Sequence, residues 1–164
     1  MVMATKNMAD ESEADIVSRH LQRVPVDLDA MARDLGLHVV RTPLASDIAG
    51  MLVRDAEAPS GHRVVINSHD PARRQRFTFA HELAHYLLHR DLVDEVVDNA
   101  FYRSPNLGDD MERQADRFAA QLLLPAEEVR RAYGSVKALA PLADRFDVSD
   151  TALRIRLREL RLAP

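Results

Sequence analysis

The sequence contains no cysteine. That excludes a disulfide framework and a thiolate metal site, so any metal must be held by His, Asp or Glu. Also missing is an apolar run near the roughly 20 residues of a membrane helix, and the opening MVMATKNMADESEADIV lacks the apolar core of a signal peptide. The expectation is a cytoplasmic protein with no membrane partner. Strong charge of one sign is absent as well: the net charge of −4 gives no general attraction to nucleic acid, although arginines collect near the C-terminus. No repeat or low-complexity segment interrupts the chain. What remains is an ordinary globular composition over 164 residues, enough to bury a core.

Residues 1–11 are polar and read as a mobile N-terminal tail. A helix is expected over about 13–23, ending before Pro25, and a second one capped by Asp27 and stopped by Gly36. A strand follows over 38–42. IAGMLVRD (48–55) and HRVVIN (62–67) flank the turn composition AEAPSG and read as an antiparallel pair. After HDPARR the period changes: Ala80, Leu83, Ala84, Leu87 and Leu88 form one helical stripe, with His81, Glu82, His85 and His89 on the other, open side. Residues 91–108 read as a connecting loop or short helix. The helix DMERQADRFAAQLLL must stop before Pro125, and three short helical patterns follow it.

The stretch RFTFAHELAHYLLHRD is the chemical centre of the sequence. Side chains four apart on a helix are neighbours about 6 Å apart, so His81 and His85 can direct nitrogens at one ion, each at roughly 2.0–2.1 Å. Glu82 lies about 100° around the helix from His81, so it borders such an ion without binding it. It is placed to take the proton from an attacking water and return it to a leaving amine. With seven histidines and nine glutamates in the chain, random placement yields this pattern only about 0.02 times per sequence.

Catalytic zinc takes three protein ligands, so a third must be supplied. Asp91 has the spacing used when a chain doubles back after the helix, but that bend calls for glycine where this sequence has Leu88. His89 lies about 12 Å along a straight helix from His81, too far to share the ion, and reads as a satisfied helix-end histidine. Glu112 and Asp116 are four apart on one face of the later helix, beside the small residues Ala115 and Ala119, which permit close helix approach. Glu112 is assigned as third ligand. Asp116 is assigned as the carboxylate that accepts an N–H from a liganding histidine and orients it.

RQRFTFAHELAHYLLH followed by ERQADRFAAQLLLP resembles the ImmA/IrrE family of metallopeptidases, and the resemblance extends over roughly residues 12–162. It implies a cytoplasmic, gluzincin-like zinc protease with one Zn2+ per chain, or another divalent ion such as Mn2+. The family pattern makes His81, His85 and Glu112 the ligands and Glu82 the catalytic base. The implied substrate or binding partner is an Xre-type helix-turn-helix repressor, cleaved to relieve repression in a stress response, a mobile element or a toxin-antitoxin-like pair. Ala84 stands where the family often has glycine, a departure that leaves metal binding untouched.

The segment LAPLADRFDVSDTALRIRLREL resembles a helix-turn-helix bearing Arg154, Arg156, Arg158 and Arg161. Leucines alternate with these arginines, so part of it must be buried, and direct DNA binding is not expected. The rival functions are a noncatalytic regulator or toxin component acting by binding, and a DNA-binding protein using these helices. Tyr86 and His69 are kept as possible oxyanion or substrate contacts. Arg73, Arg74 and Arg76 read as a solvated basic edge. The expected architecture is α+β: a tail over 1–11, a zincin-like domain over 12–126 with a small antiparallel sheet packed on the His-bearing and Glu-bearing helices, and a helical subdomain over 127–164.

Overall fold

The structure, a computed structural model, describes residues 11–94 and 109–163. The expected tail, except Glu11, and most of the expected connecting segment lie outside the described residues. The fold is α+β, with helices α1 (Glu13–His20), α2 (Leu28–Asp34), α3 (Ala72–Asp94), α4 (Asp109–Leu123), α5 (Ala126–Ser135), α6 (Leu139–Phe146) and α7 (Asp150–Glu159). Among the described residues three strands, β1 (His38–Thr42), β2 (Gly50–Arg54) and β3 (His62–Asn67), form one sheet in the order β1-β3-β2. None of the described helices is long and apolar enough to cross a membrane.

Local chemistry sets several of these boundaries. Ser12, Asp27 and Ser149 each accept a backbone N–H three residues on, at 3.2, 2.9 and 3.1 Å, and so satisfy donors that a helix start would leave orphaned. Gly36, at φ +79°, ends α2: its own N–H reaches Arg33 O and the next N–H, of Leu37, reaches back to Ala32 O. Asp147 makes the same left-handed turn after α6 at φ +53°. Arg73 then clips this turn to the start of α3, donating to Asp144 at 2.6 Å and Asp147 at 3.3 Å.

The sheet is mixed. β2 and β3 are the antiparallel pair read from the sequence, with Leu52 opposite Val64, and β1 adds to the other side of β3 in parallel, His38 opposite Arg63. β3 is therefore central and β2 an edge strand. Alternate β3 residues His62, Val64 and Ile66 are buried towards the core, the period a strand imposes. Buried Asn67 ends the strand and ties down the approach to β2: its Nδ2 donates to Ile48 O at 2.9 Å, and its Oδ1 accepts from Leu44 N–H at 3.1 Å.

α3 is the hub. It packs on α2, β2, β3 and α4, and Phe79, Ala80 and Leu83 on its inner side are buried in the core. Helices α5 to α7 share this same core through Val129, Leu142, Phe146 and Leu153. α7 is fixed further by Arg156, whose Nε donates to Leu124 O at 3.0 Å while Nη1 pairs with Glu159 at 3.2 Å. Of the four arginines of the helix-turn-helix-like segment, Arg156 is thus tied into the protein. Residues 91–94 continue α3 and do not begin a loop.

Gly50 holds β2 against α3. A Cβ there would stand 2.5 Å from Thr78 Cγ2 and 2.7 Å from Val65 O, the second a backbone atom with no freedom to retreat. Gly50→Ala is expected to destabilise the fold by about 1–3 kcal/mol, the usual cost of overpacking. Denaturant unfolding checks this, and an unchanged midpoint would contradict the tight contact.

A candidate metal centre between two helices

The polar side of α3 is not open. α4 lies across it, and Glu82, His85 and His89 are all buried, with His85 and His89 each only 3% exposed. The expectation of a solvent-facing ligand face is thus corrected, because an apolar stripe on one side of a helix says nothing about a second helix covering the other. Ala115 and Ala119, both at 0% exposure, line the contact and let the helix axes approach closely.

Across this contact, three side chains converge. His85 Nε2 lies 3.0 Å from His81 Nε2 and 3.0 Å from Glu112 Oε1, and His81 Nε2 lies 3.1 Å from Glu112 Oε2. Around a four-coordinate zinc with bonds of about 2.0–2.2 Å, ligand atoms would be separated by about 3.3–3.5 Å. The observed spacing is a few tenths tighter than that, so a small outward breathing accommodates the ion. The donor set also fits in kind, since two imidazoles and one carboxylate, with no thiolate, make a catalytic zinc site with one position left over. Among the described residues, His81, His85 and Glu112 form the cluster able to hold a metal ion.

Both rings are oriented through their outer nitrogens. His81 Nδ1 is 2.8 Å from Asp116 Oδ1, a carboxylate that accepts the Nδ1–H and turns Nε2 towards Glu112. His85 Nδ1 is 2.9 Å from His89 Nδ1, and His89 Nε2 is 3.0 Å from Gln114 Oε1. Burial, and after it the neighbouring His81, lowers the His85 imidazole to about 4, which keeps it neutral as a ligand must be.

A cavity of about 280 Å³ opens at this cluster. Ala49, Gly50, Phe77 and Thr78 join His81, Glu82, His85 and Glu112 around it, with Arg74 at the rim. Glu82 thus shares one cavity with the three ligand side chains. The edge strand β2 begins on its wall.

Other residues singled out in the sequence lie elsewhere. Tyr86 is buried on another side of α3, where its hydroxyl donates to Glu13 at 3.2 Å and its ring carries the Arg90 guanidinium 4.5 Å above it. His69 sits in the turn after β3, its backbone N–H donated to Asn67. Neither lines the cavity. Asp91 is exposed and stands apart from the cluster. The basic run divides: Arg73 clips the α6–α7 turn, Arg74 borders the cavity and Arg76 donates to Val26 O at 2.7 Å. Gln114 and Asn67 carry structural duties that the sequence did not signal, since both depend on partners far along the chain.

The model of the family Peptidase_M78, described as the IrrE N-terminal-like domain, matches residues 32–158. The radiation response metalloprotease IrrE of Deinococcus deserti is 40% identical over 112 residues, which is 65% of this chain and 39% of that protein. Its counterpart from Deinococcus radiodurans is 35% identical over 118 residues, 68% of this chain and 35% of that protein. The chain therefore spans well under half the length of these curated relatives. A Mycobacterium tuberculosis transcriptional regulator is similar in fold, with a TM-score of 0.58 at 19% identity over 88% of this chain and 46% of that one.

The lowered His85 value has a consequence for the metal-free protein. A histidine held neutral by the fold takes up a proton on unfolding, so acid favours the unfolded chain. The contribution is whole above the ordinary value of 6.5 and is lost as pH falls towards about 4. Thermal melts of chelator-treated protein should shift down across that window, and His85→Phe should flatten the slope. Melting that stays level through it would contradict a buried neutral His85.

Proposed function

The chain belongs to the family of the IrrE N-terminal-like domain, Peptidase_M78, a family of metallopeptidases, and on that premise we propose that it is a zinc-dependent endopeptidase acting on an Xre-type helix-turn-helix repressor. The observation that carries this reading is one cavity holding three ligand atoms about 3 Å apart together with the Glu82 carboxylate. When bound by His81 Nε2, His85 Nε2 and Glu112, a zinc ion supplies Lewis-acid chemistry, polarising the scissile carbonyl and acidifying water.

The side chains do the rest. Glu82 takes the proton of the attacking water on a carboxylate oxygen and hands it to the nitrogen of the departing amine, so that the peptide bond breaks with no net proton consumed at the enzyme. Asp116 holds the His81 ring by its Nδ1–H and keeps Nε2 turned inward. An extended stretch of substrate can pair along β2, whose start forms the cavity wall and whose outer edge has no strand neighbour among the described residues. The cavity is far too small for a folded domain. The cleaved bond therefore lies in an exposed, extended part of the repressor, and cleavage there relieves repression in a stress response, mobile element or toxin-antitoxin-like setting.

The DNA-binding alternative is weakened by Arg156, which is committed to Leu124 O and Glu159 inside the protein. The binding-only alternative is separated by experiment. Glu82→Gln is expected to retain one equivalent of zinc while cleavage of a co-expressed Xre-type regulator falls by about 10²–10⁴-fold, the share a positioned acid–base group contributes. A variant that cleaves at the normal rate would remove Glu82 from the mechanism. Derepression in cells that persists in this variant would favour a regulator acting by binding alone.

A further inference from the structure

His89 and Gln114 lie beyond the three metal-holding side chains and touch neither them as ligands nor the cavity. His89 is nonetheless buried one turn past His85 on α3, with a partner at each ring nitrogen: His85 Nδ1 at 2.9 Å and Gln114 Oε1 at 3.0 Å. A gap between two neutral ring nitrogens can be bridged in one of two directions, since one nitrogen carries the hydrogen and the other accepts it. Here the direction is set from both ends. His85 must leave Nε2 bare to hold a cation, so its hydrogen sits on Nδ1 and is donated to His89 Nδ1. At the far end an amide oxygen has no hydrogen to give, so His89 Nε2 must supply one. The two demands require the same state of His89: neutral, hydrogen on Nε2, lone pair on Nδ1.

We propose that His89 and Gln114 are positioning residues, a directed hydrogen-bond relay that takes up the Nδ1–H of His85 and so keeps its Nε2 aimed at the metal position when a cation is bound. The proposal rests on the metal-centre reading given above. It also explains why the two ligand rings are held by different devices. His81 lies near the surface and is steered by an exposed carboxylate, Asp116. His85 is buried beside buried Glu82, where a further carboxylate would add an expensive unpaired charge. A neutral ring passes the acceptor role outward, to an amide on the exposed residue Gln114. Because Glu112, Gln114 and Asp116 all belong to α4, one helix docking supplies the third ligand and anchors the other two.

The test uses the full chain and the conservative series Gln114→Glu, Gln114→Met and His89→Phe. Gln114 is exposed, so its variants should fold, and melting of the metal-free proteins verifies this. Long-range hydrogen–nitrogen correlation spectra of the zinc-loaded wild type should find the hydrogen on Nδ1 of His85 and on Nε2 of His89. Gln114→Met should scramble the His89 tautomer and weaken zinc binding by about tenfold, the scale of losing an outer partner of a metal ligand. Gln114→Glu keeps an acceptor and should bind zinc at least as tightly as wild type. His89 carrying its hydrogen on Nδ1 in the zinc-loaded protein, or a Gln114→Met protein with wild-type zinc affinity and tautomers, would overturn the relay and leave the metal centre standing. Wild-type protein that takes up no zinc would overturn both.

Discussion

The close docking of α4 on α3 is the contact on which the site depends. It is possible because Ala115 and Ala119 present almost no side chain at the interface. Larger residues at either position would push the helices apart and carry Glu112, Gln114 and Asp116 out of reach of His85, His89 and His81 in one movement. The arrangement is consequently all-or-none: a ligand, its orienting groups and the closure of the cavity come from a single packing event. The same docking turns the polar side of α3 into an interior surface, and an interior surface must satisfy its polar atoms.

That requirement accounts for the electrostatic design. Two imidazoles within 3.0 Å of each other repel if both are charged, and burial disfavours the charged form of His85. His85, the deeper of the pair, is accordingly held neutral, down at about 4. Neutral imidazoles are what a divalent ion binds, so the environment that penalises protons favours metal. The sheet contributes on the opposite wall, where Asn67 draws in the loop before β2 and glycine at position 50 lets the strand lie directly on α3.

Much of this was readable from the chain. The spacing of His81, Glu82 and His85 follows from helix geometry alone, and the cap Asp27 announces its helix by residue type. The β2–β3 pair was legible from its flanking turn, whereas the parallel addition of β1 was not, because pairing across a crossover depends on which edge of the sheet is free. The largest misreading was of the polar face of α3 as open. A helical wheel reports polarity around one axis and carries no information about a second helix arriving from elsewhere in the sequence. Which of the C-terminal arginines is tied inside was hidden for the same reason: the partner of Arg156, the Leu124 carbonyl, stands just past the end of α4.

Zinc-edge X-ray absorption on the stoichiometrically loaded full chain tests the central claim most directly. The account predicts a four-coordinate shell at about 2.0–2.2 Å containing two imidazoles and light oxygen donors, with one oxygen contribution altered in Glu112→Ala. A shell with a single imidazole, an all-oxygen octahedral environment, or a spectrum indifferent to Glu112 would contradict it.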